Sequence, residues 1–271
     1  MRLRGFARSA IKFLDRRTKP PGTLCPDLPR SGKGFGLRWD QKTPLDEFIR
    51  HHRLCAPESP IRIHLGCGQK PFVGYVNVDY PPESHQVMQE VGADILADVT
   101  LLQCKPGTLE EIRLHHVFEH FDRVLGLAML ARWARWLVLG GTLIVETPDL
   151  EGVARTFLKT KNFRIRMAMA RHLAGDQSSP WGMHLDHWWP ERYRETLSKL
   201  GFKVVKTVSE RWDDPPHLSN AVVKARLEKR LDGEDMKTNL QKILRESLIN
   251  DSEEETYKVW SRKLSSLMAV E

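Results

Sequence analysis

Two short strings in this 271-residue chain carry residue types suited to chemistry. Gly66-Cys67-Gly68 follows an apolar run, IRIHL, and eleven residues after Gly68 the run YVNVD ends on Asp79. Two glycines let a backbone turn sharply and approach a ligand that a Cβ would hold off. A carboxylate closing the neighbouring strand can accept both hydroxyls of a ribose. Nicotinamide and flavin enzymes share such a turn, but their fingerprint calls for a third glycine where this chain has Pro71. A nucleoside cofactor without a pyrophosphate has no such requirement. Asp98, in the string ADV, stands where an adenine amino group would need an acceptor.

The histidines form the second group. His116-Val-Phe-Glu119-His120 matches the H-x-x-E-H string of inverted zinc peptidases. That chemistry needs both imidazoles on one helix face and a distant third ligand. Here the string runs off the end of an apolar strand, so no metal is expected. His184-Leu-Asp-His187 reads as a metal pair or as part of a substrate-pocket wall with Trp181, Gly182, Met183, Trp188 and Trp189; those aromatics read equally as core. Imidazole titrates near neutrality, which makes His120 and His187 the candidate general bases. His64, inside an apolar strand, reads as a satisfied buried histidine.

Alternating strands and helices must position these groups. Strands are expected at 61–65, 75–79, 93–96, 111–117 and 142–147, with a final pair at 202–208 and 218–227. Residues 122–139 read as an amphipathic helix ended by Gly140-Gly141, 150–173 as a helical insertion, and 190–202 as a helix opened by Pro190 and closed by Gly201. The pattern predicts an α/β fold with a doubly wound, mostly parallel seven-stranded sheet. In such sheets ligands bind beyond the carboxyl ends of the strands, where strand order reverses.

Four segments in order resemble one family. IHLGCGQKPFVGYVNVDY resembles the first two motifs of class I S-adenosylmethionine-dependent methyltransferases, in the subgroup with a short turn between LGCG and NVD. LHHVFEHF is similar to that family's fourth-strand motif, ARWARWLVLGGTLIVETPDL to its helix–Gly-Gly–strand segment, and HWWPERYRETLSKLGFKVV to the stretch before strand six. The resemblance covers about residues 60–226 and implies a Rossmann-like methyltransferase fold. It implies S-adenosyl-L-methionine as cofactor, held by Gly66, Cys67, Gly68, Asp79 and Asp98, with Tyr80 stacked on the adenosine and His116 alongside. The acceptor it suggests is an O or N atom of a sugar, glycan or small metabolite. A catalytically silent cofactor-binding scaffold that recruits a partner is the alternative, and an RNA methyltransferase a lesser one. One departure stands out: six residues, 69–74, separate Gly68 from the second strand, whereas a parallel crossover usually takes about a dozen. The first crossover helix is therefore expected to be a single turn or missing.

The net charge of +7 is carried by residues 1–50, with 12 basic and 5 acidic side chains; the rest of the chain is neutral. A neutral core argues against a nucleic-acid substrate. Residues 1–19 place Leu3, Phe6, Ala10, Ile11 and Leu14 at helical spacing beside a stripe of Arg and Lys. This basic amphipathic arm reads either as a helix in peripheral contact with an anionic membrane or partner, or as a solvated arm; a mitochondrial transit peptide is a further reading in a eukaryotic source. Four scattered cysteines without a CxxC pair fit a reducing compartment such as the cytoplasm. The expected organisation is the arm at 1–19, a linker and short helix at 20–58, the methyltransferase domain at 59–227 with its helical insertion at 150–189, and a helical tail at 228–271 that packs on the domain or docks a partner. Oligomeric state is not legible.

Overall fold

The computed structural model describes residues 36–88 and 90–269. The arm at 1–19 and the first part of the 20–58 segment lie outside the described residues. The chain has the doubly wound α/β sheet expected of it, with eight strands in the order β1-β4-β3-β2-β5-β6-β8-β7. Their ranges are β1 Leu37–Arg38, β2 Ile61–Leu65, β3 Val76–Asp79, β4 Ile95–Leu96, β5 Leu109–His115, β6 Leu137–Pro148, β7 Phe202–Arg211 and β8 Ser219–Leu227. All neighbours pair in parallel except β8, which is antiparallel to both β6 and β7. Strand order reverses at β2, whose neighbours are β3 and β5. The glycine turn therefore leaves the sheet at the switch point, where a crevice must open.

Two expectations are corrected. The 20–58 stretch is not wholly linker: Leu37–Arg38 add an eighth strand, and Trp39 with Leu45, Phe48 and Ile49 of helix α1 (Leu45–His51) are buried in the core. The cause is an open edge. β4 has two residues, and β1 covers its exposed backbone through Leu37 N–H to Asp94 O (2.9 Å) and Trp39 N–H to Leu96 O (3.1 Å). The second correction concerns the helix expected at 122–139. Helix α2 spans Arg123–Trp136, and β6 begins at Leu137 rather than after the glycine pair. Asp122 caps its first turn by accepting from Val124 and Leu125. At the other end the Arg230 guanidinium takes the carbonyls of Arg135 (2.7 Å) and Leu137 (2.6 Å), which stops the helix one turn early.

The short first crossover contains no helix. β2 and β3 pair in parallel across residues 66–75, which form turns alone. Asn77 makes this feasible: its Oδ1 accepts Phe72 N–H (2.8 Å), and its Nδ2 donates to Phe72 O (3.2 Å), Tyr75 O (3.1 Å) and Asp94 Oδ2 (3.0 Å). One buried side chain thus satisfies backbone groups that a helix would have paired internally.

Helices α3 (Leu150–Lys159) and α4 (Phe163–Ala174) form the insertion after β6, and α5 (Pro190–Lys199) leads into β7. The tail folds as α6 (Gly233–Glu246) and α7 (Glu254–Ala269) and packs on α2. Leu240, Leu244 and Leu264 are buried there, Lys263 Nζ bonds Asp122 Oδ2 (2.6 Å), and Arg123 lies over the Trp260 ring. Among the described residues no helix is long and apolar enough to cross a membrane.

Candidate active site

The site is built on the carboxyl ends of β2, β3, β5 and β6. Gly66 and Gly68 both adopt the left-handed region, at φ +68° and +53°. A Cβ on Gly66 would sit 2.0 Å from Val117 Cγ2, so the turn can pass under the segment after β5 only as glycine. Cys67 is buried between them. Burial, then the Asp79 and Asp94 carboxylates, push its thiol well above the ordinary range, so it is neutral packing rather than a nucleophile.

Asp79 ends β3 beside this turn, as expected, and is buried. Its Oδ2 accepts Gly68 N–H (2.5 Å) and its Oδ1 accepts Tyr80 N–H (2.7 Å). His85 Nε2 lies 3.4 Å from Oδ1, and both ring nitrogens of His85 are buried without a hydrogen-bond partner. Tyr80 stacks on Trp181, with centroids 6.1 Å apart, and Trp181 Nε1 donates to Ser84 O (3.0 Å). The aromatic face expected to receive a nucleoside is thus paired with an indole from the insertion. Asp98 follows β4 and binds Thr100 through N–H (2.8 Å) and Oγ1 (2.7 Å). Burial and then the Asp98 carboxylate raise the Tyr80 phenol above its ordinary range.

A buried polar network closes the other side. His116, just past β5, is held at φ +53°, with its N–H on Glu146 O (2.9 Å). Its Nδ1 meets Glu119 Oε1 at 3.0 Å, and its Nε2 faces Asn220 Nδ2 at 3.0 Å. Asn220 also donates to Glu146 Oε1 (2.6 Å), whose other oxygen lies 3.2 Å from His115 Nδ1. Burial works against both charges of the His116–Glu119 pair, yet their bond and mutual attraction raise the imidazole and hold the carboxyl down to about 2. His172 Nε2 donates to Ser219 O at 3.3 Å; burial, with His116 nearby, brings its pKa down to about 4.

The H-x-x-E-H string is not on a helix face. β5 ends at His115, and Phe118–His120 form one 3₁₀ turn, so His116 turns toward Asn220 while His120 Nδ1 turns to Met183 O (3.0 Å). The ring packed against His120 is that of His184, with centroids 4.8 Å apart, in a T-shaped contact. Ligand atoms of Glu119, His120 and His184 all lie within 4.8 Å of one another, a grouping that the sequence reading, which expected no metal, did not assemble. His187 is fixed through its backbone: its N–H donates to Asp186 Oδ1 (3.0 Å) and its carbonyl accepts from Arg192 (2.5 Å). Arg192 also grips Asp186 with two bonds, at 2.8 and 2.6 Å. Trp188 is core, stacked on Tyr193 and against Phe118.

His64 is buried, as its position in β2 suggested, but only half satisfied: Nδ1 meets Asn77 Oδ1 (3.2 Å), while Nε2 has no hydrogen-bond partner. Sequence reasoning missed Glu146, Asn220 and His172, and paired His184 with His187 rather than with Glu119 and His120. A charged residue inside the apolar run TLIVET was a visible signal for Glu146; the others become legible only when β8 and the insertion fold over β5 and β6.

No family model matches this sequence, and no curated protein does. Among solved structures, the chain is similar to a chain of the complex between the Haloferax volcanii Trm112 methyltransferase activator and a putative methyltransferase, at 14% identity over 68% of this chain and 94% of that one, with a TM-score of 0.42. It is also similar to a SAM-dependent methyltransferase from Methanosarcina mazei, at 14% identity over 67% of this chain and 97% of that one, TM-score 0.41. A third is the Burkholderia thailandensis 1,6-didemethyltoxoflavin-N1-methyltransferase with bound S-adenosylhomocysteine, at 14% identity over 68% of this chain and 76% of that one, TM-score 0.40. Likeness at this level concerns the course of the chain and not its substrate.

Proposed function

We propose that the protein is an S-adenosylmethionine-dependent methyltransferase that alkylates an O or N atom of a sugar, glycan or small-metabolite acceptor. The observation that carries this reading is the pairing of the left-handed glycine turn with Asp79 at the switch point of the sheet. The donor set suits a nucleoside cofactor. Asp79 and Asp98 are acceptors, Gly68 presents bare backbone, and His85, whose Nε2 lies 3.4 Å from Asp79 Oδ1, keeps a buried Nδ1 without a hydrogen-bond partner. When bound, the cofactor supplies a methyl group already activated on a sulfonium. The chain's own task is then to align an acceptor with that carbon and keep water out. Trp181, stacked on Tyr80, and the 183–187 segment, tied to the Glu119 carbonyl, would form the acceptor side. The basic arm at 1–19 would hold the enzyme near an anionic membrane surface.

Calorimetry with S-adenosylhomocysteine and with NAD tests the reading. Binding of the former at micromolar affinity and no binding of NAD is expected; stabilisation by NAD alone would refute it. An acceptor screen on a chain that binds S-adenosylhomocysteine then separates an enzyme from a silent scaffold.

A further inference from the structure

Glu119, His120 and His184 adjoin the expected cofactor side through His116 and have a geometry that a buried ion pair alone does not explain. Glu119 is 1% exposed and deep in the structure. Its Oε1 is engaged by His116 at 3.0 Å, but its Oε2 is buried with no hydrogen-bond partner. An ionic oxygen left bare in the interior costs several kcal/mol unless something cationic meets it. Ligand atoms of His120 and His184 lie within 4.8 Å of the carboxylate and of each other, on the side of the oxygen that His116 already holds. His184 Nε2 lies 3.8 Å from Glu119 Oε1, and the His120 ring packs on His184.

From this we infer that Glu119, His120 and His184 form a binding site for a divalent first-row transition cation, with Zn2+ the best match to two imidazoles and one carboxylate. Outer contacts of the kind that orient metal ligands are already in place. The Met183 carbonyl, 3.0 Å from His120 Nδ1, fixes that nitrogen as the protonated one and leaves Nε2 for the metal. His116 holds the carboxylate from behind. The backbone of the His184 segment is tied to the same turn: Leu185 N–H and Asp186 N–H both donate to Glu119 O, at 2.8 and 3.3 Å. His184 N–H is bound to Ala174 O at 3.2 Å. Tetrahedral zinc with bonds of about 2.0–2.2 Å sets its donor atoms about 3.4 Å apart. The present spread, up to 4.8 Å, therefore closes with side-chain rotation of about an ångström.

Three protein ligands leave a position open for a fourth, which is the arrangement of catalytic rather than structural zinc. The Phe118–His120 turn that carries Glu119 and His120 directly follows Val117. Val117, two residues from Glu119, is the side chain that touches Gly66. Resting on the methyltransferase reading, the open position suits an acceptor hydroxyl. A cation held by Glu119, His120 and His184 would lower the pKa of such a hydroxyl, so that its proton would pass to water and its oxygen would form the new bond to the methyl carbon as the carbon–sulfur electron pair left with sulfur. His120, a metal ligand, would then not be the general base.

The test uses the full chain without an affinity tag, stripped by chelator and dialysed against Zn2+. Elemental analysis should find about one equivalent of zinc. Co2+ in its place should give visible absorption bands. His120→Ala, at a partly exposed position, and His184→Ala should each weaken zinc binding by at least the roughly 10- to 100-fold typical of losing an outer-shell partner. His51→Ala, an exposed histidine on α1, should bind zinc as the parent does, and circular dichroism establishes that each variant is folded. S-adenosylhomocysteine binding is measured in parallel on the same samples. A chain that binds S-adenosylhomocysteine but no zinc, or folded variants that bind zinc as tightly as the parent, overturns the metal site and leaves the methyltransferase reading intact. Zinc bound with the expected variant losses supports the site even where S-adenosylhomocysteine does not bind, and in that case the methyltransferase reading is what fails.

Discussion

Replacing Asp79 by alanine should separate the two jobs that its carboxylate performs. In the ligand-free chain the two oxygens accept Gly68 N–H at 2.5 Å and Tyr80 N–H at 2.7 Å. Removing them orphans two backbone donors at about 1–3 kcal/mol each when water cannot replace the acceptor. Both residues are partly accessible, so the stability loss should fall near the lower end, about 2 kcal/mol. The effect on S-adenosylhomocysteine is larger in ratio. A charge-assisted bond to a ribose hydroxyl contributes about 1.5–3 kcal/mol, and a tenfold change in affinity is about 1.4 kcal/mol. Since the carboxylate shares its lone pairs with the two N–H groups, the net loss should be worth about one such bond, about tenfold to a hundredfold in Kd. Asp79→Asn keeps one acceptor and loses the charge, and should fall between alanine and the parent on both scales. Urea denaturation gives the stability, calorimetry the affinity, and circular dichroism the fold. A folded Asp79→Ala chain that binds S-adenosylhomocysteine as tightly as the parent would refute the assignment of the end of β3 as the ribose site.

Two further outcomes concern stability. His64 and His172 are buried and held down to about 3 and about 4, so the unfolded chain takes up their protons below about pH 6.5 while the native chain does not. Stability should therefore fall on acidification from pH 7 to pH 5 by about 4 kcal/mol for the pair, read as a lower urea midpoint. The window lies above the range where Glu119 and Glu146 enter; His116, whose pKa is raised, acts in the opposite sense near the top of the window and offsets part of the loss, and a midpoint unchanged at pH 5 would contradict the burial of these rings. Asn77→Ala removes the acceptor of Phe72 N–H and the donor to the Phe72 and Tyr75 carbonyls, and should cost about 2–4 kcal/mol, with the loss of His64's partner included. A loss below about 0.5 kcal/mol would show that the helix-free crossover closes without this side chain.

The parts of this fold that were legible from sequence were those in which a local pattern and a tertiary requirement coincide. IRIHL is apolar because β2 is covered on both faces, and the glycines that end it are needed both by the local left-handed turn and by the approach of Val117. The missing crossover helix could likewise be deduced by counting residues 69–74, although nothing in that count pointed to Asn77 as the group that makes a helix-free turn affordable in hydrogen bonds. β1 gave no local signal. Two residues after a glycine-rich stretch have no periodicity, and they become a strand only because β4 is too short to protect its own edge.

The histidines show the same boundary more sharply. A string such as His116-Val-Phe-Glu119-His120 invites a reading in which its members act together, because neighbours in sequence are the only neighbours visible. Once β5 ends at His115, the backbone reversal at His116 sends that ring back toward β6 and β8, while the 3₁₀ turn carries His120 outward to the insertion. The partner it meets is 64 residues away, and it is His184 rather than His187 because Leu185 and Asp186 hang from the Glu119 carbonyl and Arg192 clamps Asp186. Spacing within the His184-Leu-Asp-His187 pair carries no information about that choice. It is made by a backbone hydrogen bond to the very residue whose side-chain oxygen lacks a partner, so that one residue, Glu119, fixes both the position of the second imidazole and the charge that it faces.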